Sequence, residues 1–195
     1  MPDAVGMIVE TLQLACASRP NEAALLQDGR ALSFAVLRRL AAAVQARAAA
    51  TGLPSSGACT LHAPLAADAM IAAIGLRAHG LDVLCVHDPG VLSALGDSAP
   101  VPLVTLGVPV AAGAALALRG DQLAAAPELP LTAGREGGDI RLTSGTTGAR
   151  KLMRVPAAAG RIRAEQRVQA LGLRPGWVHA VGDRAMDGAA TCDGV

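Results

Sequence analysis

Three features of the sequence predict an α/β fold, with a layered, mostly parallel sheet and flanking helices. Ala58 to His62 and Val83 to Val86 are short strand-like runs separated by an alanine-rich helical stretch, Ala66 to His79. This is a β-α-β unit, and a helical crossover between two strands favours parallel pairing. Both runs are largely apolar, as expected of strands covered on both faces. A further strand, Asp139 to Leu142, then delivers the chain into a Gly/Ser/Thr-rich stretch that a helix is expected to follow.

In chain order, Val5, Ile8, Val9, Leu12 and Cys16 recur at helical spacing, predicting an amphipathic helix that stops before Arg19-Pro20. Ala23 to Gln27 and Ala31 to Phe34 flank Asp28-Gly29-Arg30, and Asp-Gly favours a tight turn with positive φ, so a hairpin is expected. Ser33 can cap a helix that places Phe34, Leu37, Leu40, Val44 and Ala48 on one face, with Gly52 as its terminator. The β-α-β unit follows a loop at 52–57, and Leu103 to Leu106 adds a candidate third strand. From Gly107 to Gly138, Gly, Pro and Ala dominate and neither period is sustained, so no element is assigned. Beyond the Gly/Ser/Thr stretch, Pro156 suits the first turn of a helix running from Ala157 to Leu171 and closed by Gly172. Trp177 to Val181 reads as one more strand, and 182–195 as an irregular tail.

Composition narrows the functional classes. The 195 residues suit one domain. Mean hydropathy is +0.40, but no apolar run reaches membrane-spanning length, and the acidic Asp3 and Glu10 do not suit a secretory leader; a cytoplasmic protein without a membrane span is expected. A net charge of +1 and only two aromatic side chains, Phe34 and Trp177, argue against a nucleic-acid surface. Cys16, Cys59, Cys85 and Cys192 form no C-x-x-C pair and are read as reduced, small apolar residues.

The chemistry concentrates in Thr143-Ser144-Gly145-Thr146-Thr147-Gly148-Ala149-Arg150-Lys151. Its glycines let backbone N–H groups converge, its hydroxyls add short donors, and Lys151, the one lysine of the chain, adds a compact cation. Such a loop can hold phosphate. It is not a Walker A motif, because Ala149-Arg150 separates Gly148 from the lysine and Leu152 stands where a magnesium-binding hydroxyl is required.

The stretch resembles the signature loop of the adenylate-forming (AMP-binding) superfamily, which includes acyl-CoA synthetases and peptide-synthetase adenylation domains. The usual form is Thr-Ser-Gly-Ser/Thr-Thr-Gly-x-Pro-Lys-Gly. Here Thr143 to Gly148 and Lys151 match, whereas Arg150 replaces the proline and Leu152 the final glycine. Further similar segments occur in order: Arg19-Pro20 to Leu25, Leu32-Ser33-Phe34 to Leu37, Gly80 to Asp88-Pro89, and Leu171 to Gly176. The likeness covers roughly residues 5–181.

That resemblance implies a partial AMP-binding domain, its N-terminal part, over 1–181, with the C-terminal domain absent. It implies ATP with Mg2+ as cofactors, and a carboxylic acid activated to an acyl-adenylate, with coenzyme A as the family-level acceptor. The phosphate-binding residues it implies are Thr143, Ser144, Gly145, Thr146, Thr147, Gly148 and Lys151. It assigns no catalytic or metal-binding residue in this chain. The family's later Tyr-Gly-x-Thr-Glu and Thr-Gly-Asp segments and its second lysine are not found. The expectation is a fragment of an AMP-forming ligase that does not complete the reaction alone and looks to a complementing polypeptide. The alternative is a non-catalytic nucleotide- or protein-binding α/β module.

The remaining polar residues have plainer readings. His62, His79, His87 and His179 lack metal-ligand spacing and are read as isolated surface or strand-end side chains. Asp68 and Asp82 read as capping or solvated groups, Asp88 as a turn former before Pro89, and Arg161, Arg163 and Arg167 as solvated helix positions.

Overall fold

The computed structural model describes residues 7–108, 113–132, 134–143 and 151–172. Helix α1, Met7–Ser18, precedes a hairpin of β1, Ala23–Gln27, and β2, Arg30–Ser33, whose turn places Asp28 and Gly29 at φ 51° and 73°. Two successive positive φ values are those of a type I′ turn, which the Asp-Gly pair foretold. The Ser33 side chain accepts the Val36 N–H and caps α2, Phe34–Ala50. Strand β3, Ala58–His62, helix α3, Ala66–His79, and β4, Asp82–Val86, complete the β-α-β unit, with β3 and β4 parallel. Gly80 ends α3 at φ 109°, and a Cβ there would collide with the Ser55 carbonyl.

From Asp88 onward the structure departs from expectation in three places. Asp88, read as a turn former, is the N-cap of a short helix α4, Pro89–Leu95: it accepts the Gly90 N–H at 2.7 Å, and Pro89 occupies the first turn, where its missing N–H costs nothing. After β5, Leu103–Leu106, the unassigned region contains β6, Leu116–Leu118, and α5, Gly120–Ala124. Both are too short to establish a period. The third departure concerns the site. β7, Asp139–Thr143, is not followed directly by a helix, because β8, Lys151–Val155, intervenes before α6, Ala157–Leu171. The predicted strand at Trp177 to Val181 and the tail at 182–195 lie outside the described residues, as does Val5.

Among the described residues the main sheet has six strands in the order β6-β5-β3-β4-β7-β8. All neighbours are parallel except β7 and β8, which are antiparallel. Leu61, Val83 and Val104 join Ala41, Val44, Ile71 and Leu76 of α2 and α3 in the larger core. Leu84, Val86, Ile140 and Leu142 pack with Leu95 and Leu92 of α4 in a second cluster. The central strands are thus covered on both sides, which accounts for their apolar runs. Gly75 lets α2 and α3 approach closely, since a Cβ there would press on the Ala41 carbonyl and Val44.

Candidate phosphate-binding site

Parallel sheets bind ligands beyond the carboxyl ends of their strands, where loops leave the sheet. β7 runs parallel to β4, so Thr143 lies at that edge. Thr143 is the register partner of Lys151, and its hydroxyl donates to the Lys151 carbonyl at 3.3 Å. Thr143 is half-buried and Lys151 exposed. The two described ends of the predicted site are therefore brought together as neighbours on adjacent strands. Ser144, Gly145, Thr146, Thr147 and Gly148 lie between them, outside the described residues.

The intervening strand changes the electrostatics. A helix directly after the loop would have aimed its N-terminal amides at a bound phosphate. β8 instead carries the chain back, so α6 starts after Val155, which pairs with Asp139 at the opposite end of β7. Five strand residues separate the two edges by about 14 Å. The macrodipole of α6 gives no help at the loop, and the cation in register with Thr143 is Lys151.

The foot of the hairpin holds a set of charges that the sequence did not reveal. Arg77 of α3 donates through Nε to the Gly137 carbonyl at 2.9 Å, through Nη1 to Asp139 Oδ1 at 3.0 Å and through Nη2 to Glu136 Oε1 at 3.0 Å. Glu136 also accepts the Ile8 N–H at 2.9 Å, and burial holds its pKa above the ordinary value despite that bond and Arg77. Asp82 of β4 is buried, not solvated; it accepts the Gly138 N–H at 2.7 Å and pairs with Arg154 of β8. Glu136 lies 59 positions from Arg77 and Arg154 lies 72 from Asp82, so no local spacing links either pair. An open pocket of about 260 Å³, lined in part by Glu136, Gly138, Arg154 and Pro156, lies beside this foot and is remote from Thr143.

Among the other polar groups, His62 stands at the end of β3, as one of its two readings had it, but is buried and not on the surface. Burial and then His87 lower its pKa. Asp68 is half-buried, and burial raises its pKa. His87 Nδ1 lies 2.6 Å from the Ala63 carbonyl, and His79 Nε2 lies 3.0 Å from the Leu53 carbonyl. Among the described residues no three His, Cys, Asp or Glu side chains are grouped to hold a metal, and no helix is long and apolar enough to cross a membrane.

No family model and no curated protein matches the chain. Solved structures do. The nonribosomal peptide synthetase FmoA3, bound to α-methyl-L-serine-AMP, aligns with a TM-score of 0.68 at 19% identity over 88% of this chain and 20% of its own. The o-succinylbenzoate CoA synthetase of Bacillus subtilis, in complex with its acyl-adenylate intermediate, gives 0.68 at 19% over 84% and 36%. A Rhodopseudomonas palustris protein named as a long-chain-fatty-acid CoA ligase gives 0.68 at 17% over 87% and 49%. The chain thus spans between a fifth and a half of the solved chains it resembles. At these identities the likeness is one of fold: a mostly parallel six-stranded α/β sheet with flanking helices, the fold of the N-terminal part of the AMP-forming ligases.

Proposed function

We propose that this chain is the phosphate-holding part of an AMP-forming ligase that activates a carboxylic acid with ATP. One observation carries the reading: Thr143 and Lys151, which flank the matching Ser-Gly-Thr-Thr-Gly run in sequence, are paired at the carboxyl edge of a mostly parallel sheet. In this reading the hydroxyls of Thr143, Ser144, Thr146 and Thr147 and the N–H groups near Gly145 and Gly148 hold the β- and γ-phosphate oxygens. Lys151 offsets their charge. Catalysis of this type is mainly positioning and charge neutralisation.

The residues that flank the loop offer a hydroxyl and an ammonium, which suit phosphate. They offer no carboxylate for magnesium, so the ion would be carried on the phosphate oxygens and no step is assigned to it. The adenine, ribose and acid-binding groups would come from further polypeptide, and the chain alone would not complete the reaction. Coenzyme A as acceptor, and a cytoplasmic location, belong to the same reading.

Two measurements test it. Calorimetry with ATP and magnesium should show binding by the wild-type chain and at least about a tenfold loss in Lys151→Ala, the cost of removing a charge-assisted contact. Equal binding by both proteins would overturn the clamp assignment. Carboxylate-dependent pyrophosphate release should be absent from the isolated chain across a panel of acids, and robust turnover would overturn its dependence on other polypeptide.

A further inference from the structure

Among the described residues β8 is held in the sheet by one neighbour, β7, and its side chains do little to fix where along that neighbour it sits. Lys151 to Arg154 are all exposed, with Leu152 at 38% and Met153 at 40%; only Val155 is buried. Strand register is strongly specified where one face is buried and weakly where neither is, and a one-residue slip turns every side chain to the other face. The connection spanning 144–150 exceeds the two- to five-residue loops whose turn type dictates hairpin register. Something else must set the alignment that pairs Thr143 with Lys151.

The charges at the foot of the hairpin meet that need. Asp82 belongs to β4, and β7 lies between β4 and β8. Arg154, the register partner of Ile140, reaches back across β7 to this carboxylate. Its Nη2 lies 3.3 Å from Asp82 Oδ1, and its Nε pairs with Oδ2. The same Oδ1 accepts the Gly138 N–H at 2.7 Å, just before β7. Gly138 is required for this approach, since a Cβ there would strike the Val155 carbonyl. One buried carboxylate therefore grips both strands of the hairpin at once. Arg154 would have to leave Asp82, a buried charge, without its cation if β8 slipped.

We propose that Asp82, acting through Arg154, is a positioning residue for the phosphate loop: it fixes the register of β8 and hence the alignment at which Thr143 and Lys151 flank residues 144–150. The effect on nucleotide rests on the function proposed above; the effect on register does not. Asp82 touches no phosphate and acts only by holding the strand.

The test uses the full chain with Asp82→Asn, Arg154→Gln, both together, and Arg154→Lys. Arg154 has a side chain about half exposed, so its variants fold even where the buried Asp82 substitution does not. Amide hydrogen exchange should accelerate by about tenfold at residues 152–155 while α3 and β3 keep their protection, the mark of local rather than global opening. Calorimetry should show ATP affinity reduced by about tenfold, because small displacements of positioning groups weaken a site steeply. The double variant should be no worse than either single one, and Arg154→Lys should restore most of both effects. Unchanged exchange at 152–155 in Arg154→Gln, or additive losses in the double variant, would overturn the proposal. Absence of ATP binding by the wild type would defeat the phosphate-loop reading, leaving the register clamp to be decided by exchange alone.

Discussion

The Thr143 hydroxyl donates to the backbone carbonyl of Lys151, 3.3 Å away, and the two residues form the last ladder pair before the loop. This bond ties the loop ends without enclosing Lys151, whose side chain remains exposed. Replacing Thr143 by valine keeps the β-branched shape and removes the hydroxyl. Thr143→Val should leave the unfolding midpoint nearly unchanged, since the bond is at the surface and worth about 1 kcal/mol or less. ATP affinity should fall several-fold. Calorimetry and thermal melts on the same preparation separate the two, and a loss of stability with affinity intact would contradict the assignment.

His62 makes stability depend on pH. Burial, and then the neighbouring His87, lower its pKa below the ordinary 6.5, so the folded protein resists protonating it. Below about pH 6.5 the unfolded chain binds more protons at this site, and stability falls as pH drops toward the folded-state value. Above 6.5 the contribution is fully present. Melting curves between pH 5 and 8 should therefore show a decline on the acid side that is shallower in His62→Gln. Parallel curves for the two proteins would rule out His62 as the source.

Cys59 is buried in β3, and its thiol pKa is pushed up to about 12 by burial first, then by Cys85 and Asp82. Because the thiolate is the reactive form, Cys59 should resist iodoacetamide at pH 8 in the folded protein and react fully in denaturant. Peptide mapping by mass spectrometry reads this directly. Rapid native alkylation of Cys59 would contradict its burial.

The close approach of α2 and α3 depends on Gly75. A methyl there would press on the Ala41 carbonyl and on Val44, both in the packed interior. Gly75→Ala should destabilise the protein by about 1–3 kcal/mol despite alanine's better helix propensity, because overpacking outweighs it. Urea unfolding gives the value. A stabilised variant would show that the helices can separate at little cost.

What the sequence determined is local. The Asp28-Gly29 turn, the Ser33 cap, the ends of α3 at Gly80 and of α6 at Gly172, and the apolar β3 and β4 all follow from residue chemistry acting within a few positions. The same holds for the candidate loop, whose hydroxyls, glycines and lysine sit together in the chain. Tertiary structure alone decided the rest. β8 has a mixed, exposed pattern with no period of its own, and exists because β7 offers it a free edge. Its presence moves the start of α6 to the opposite end of β7, away from the Thr143–Lys151 pair. Likewise Asp82 read as a capping or solvated group, since nothing near it in sequence announces Arg154, 72 positions away. A charge pair of that separation becomes visible only once β7 has placed β4 and β8 on either side of it.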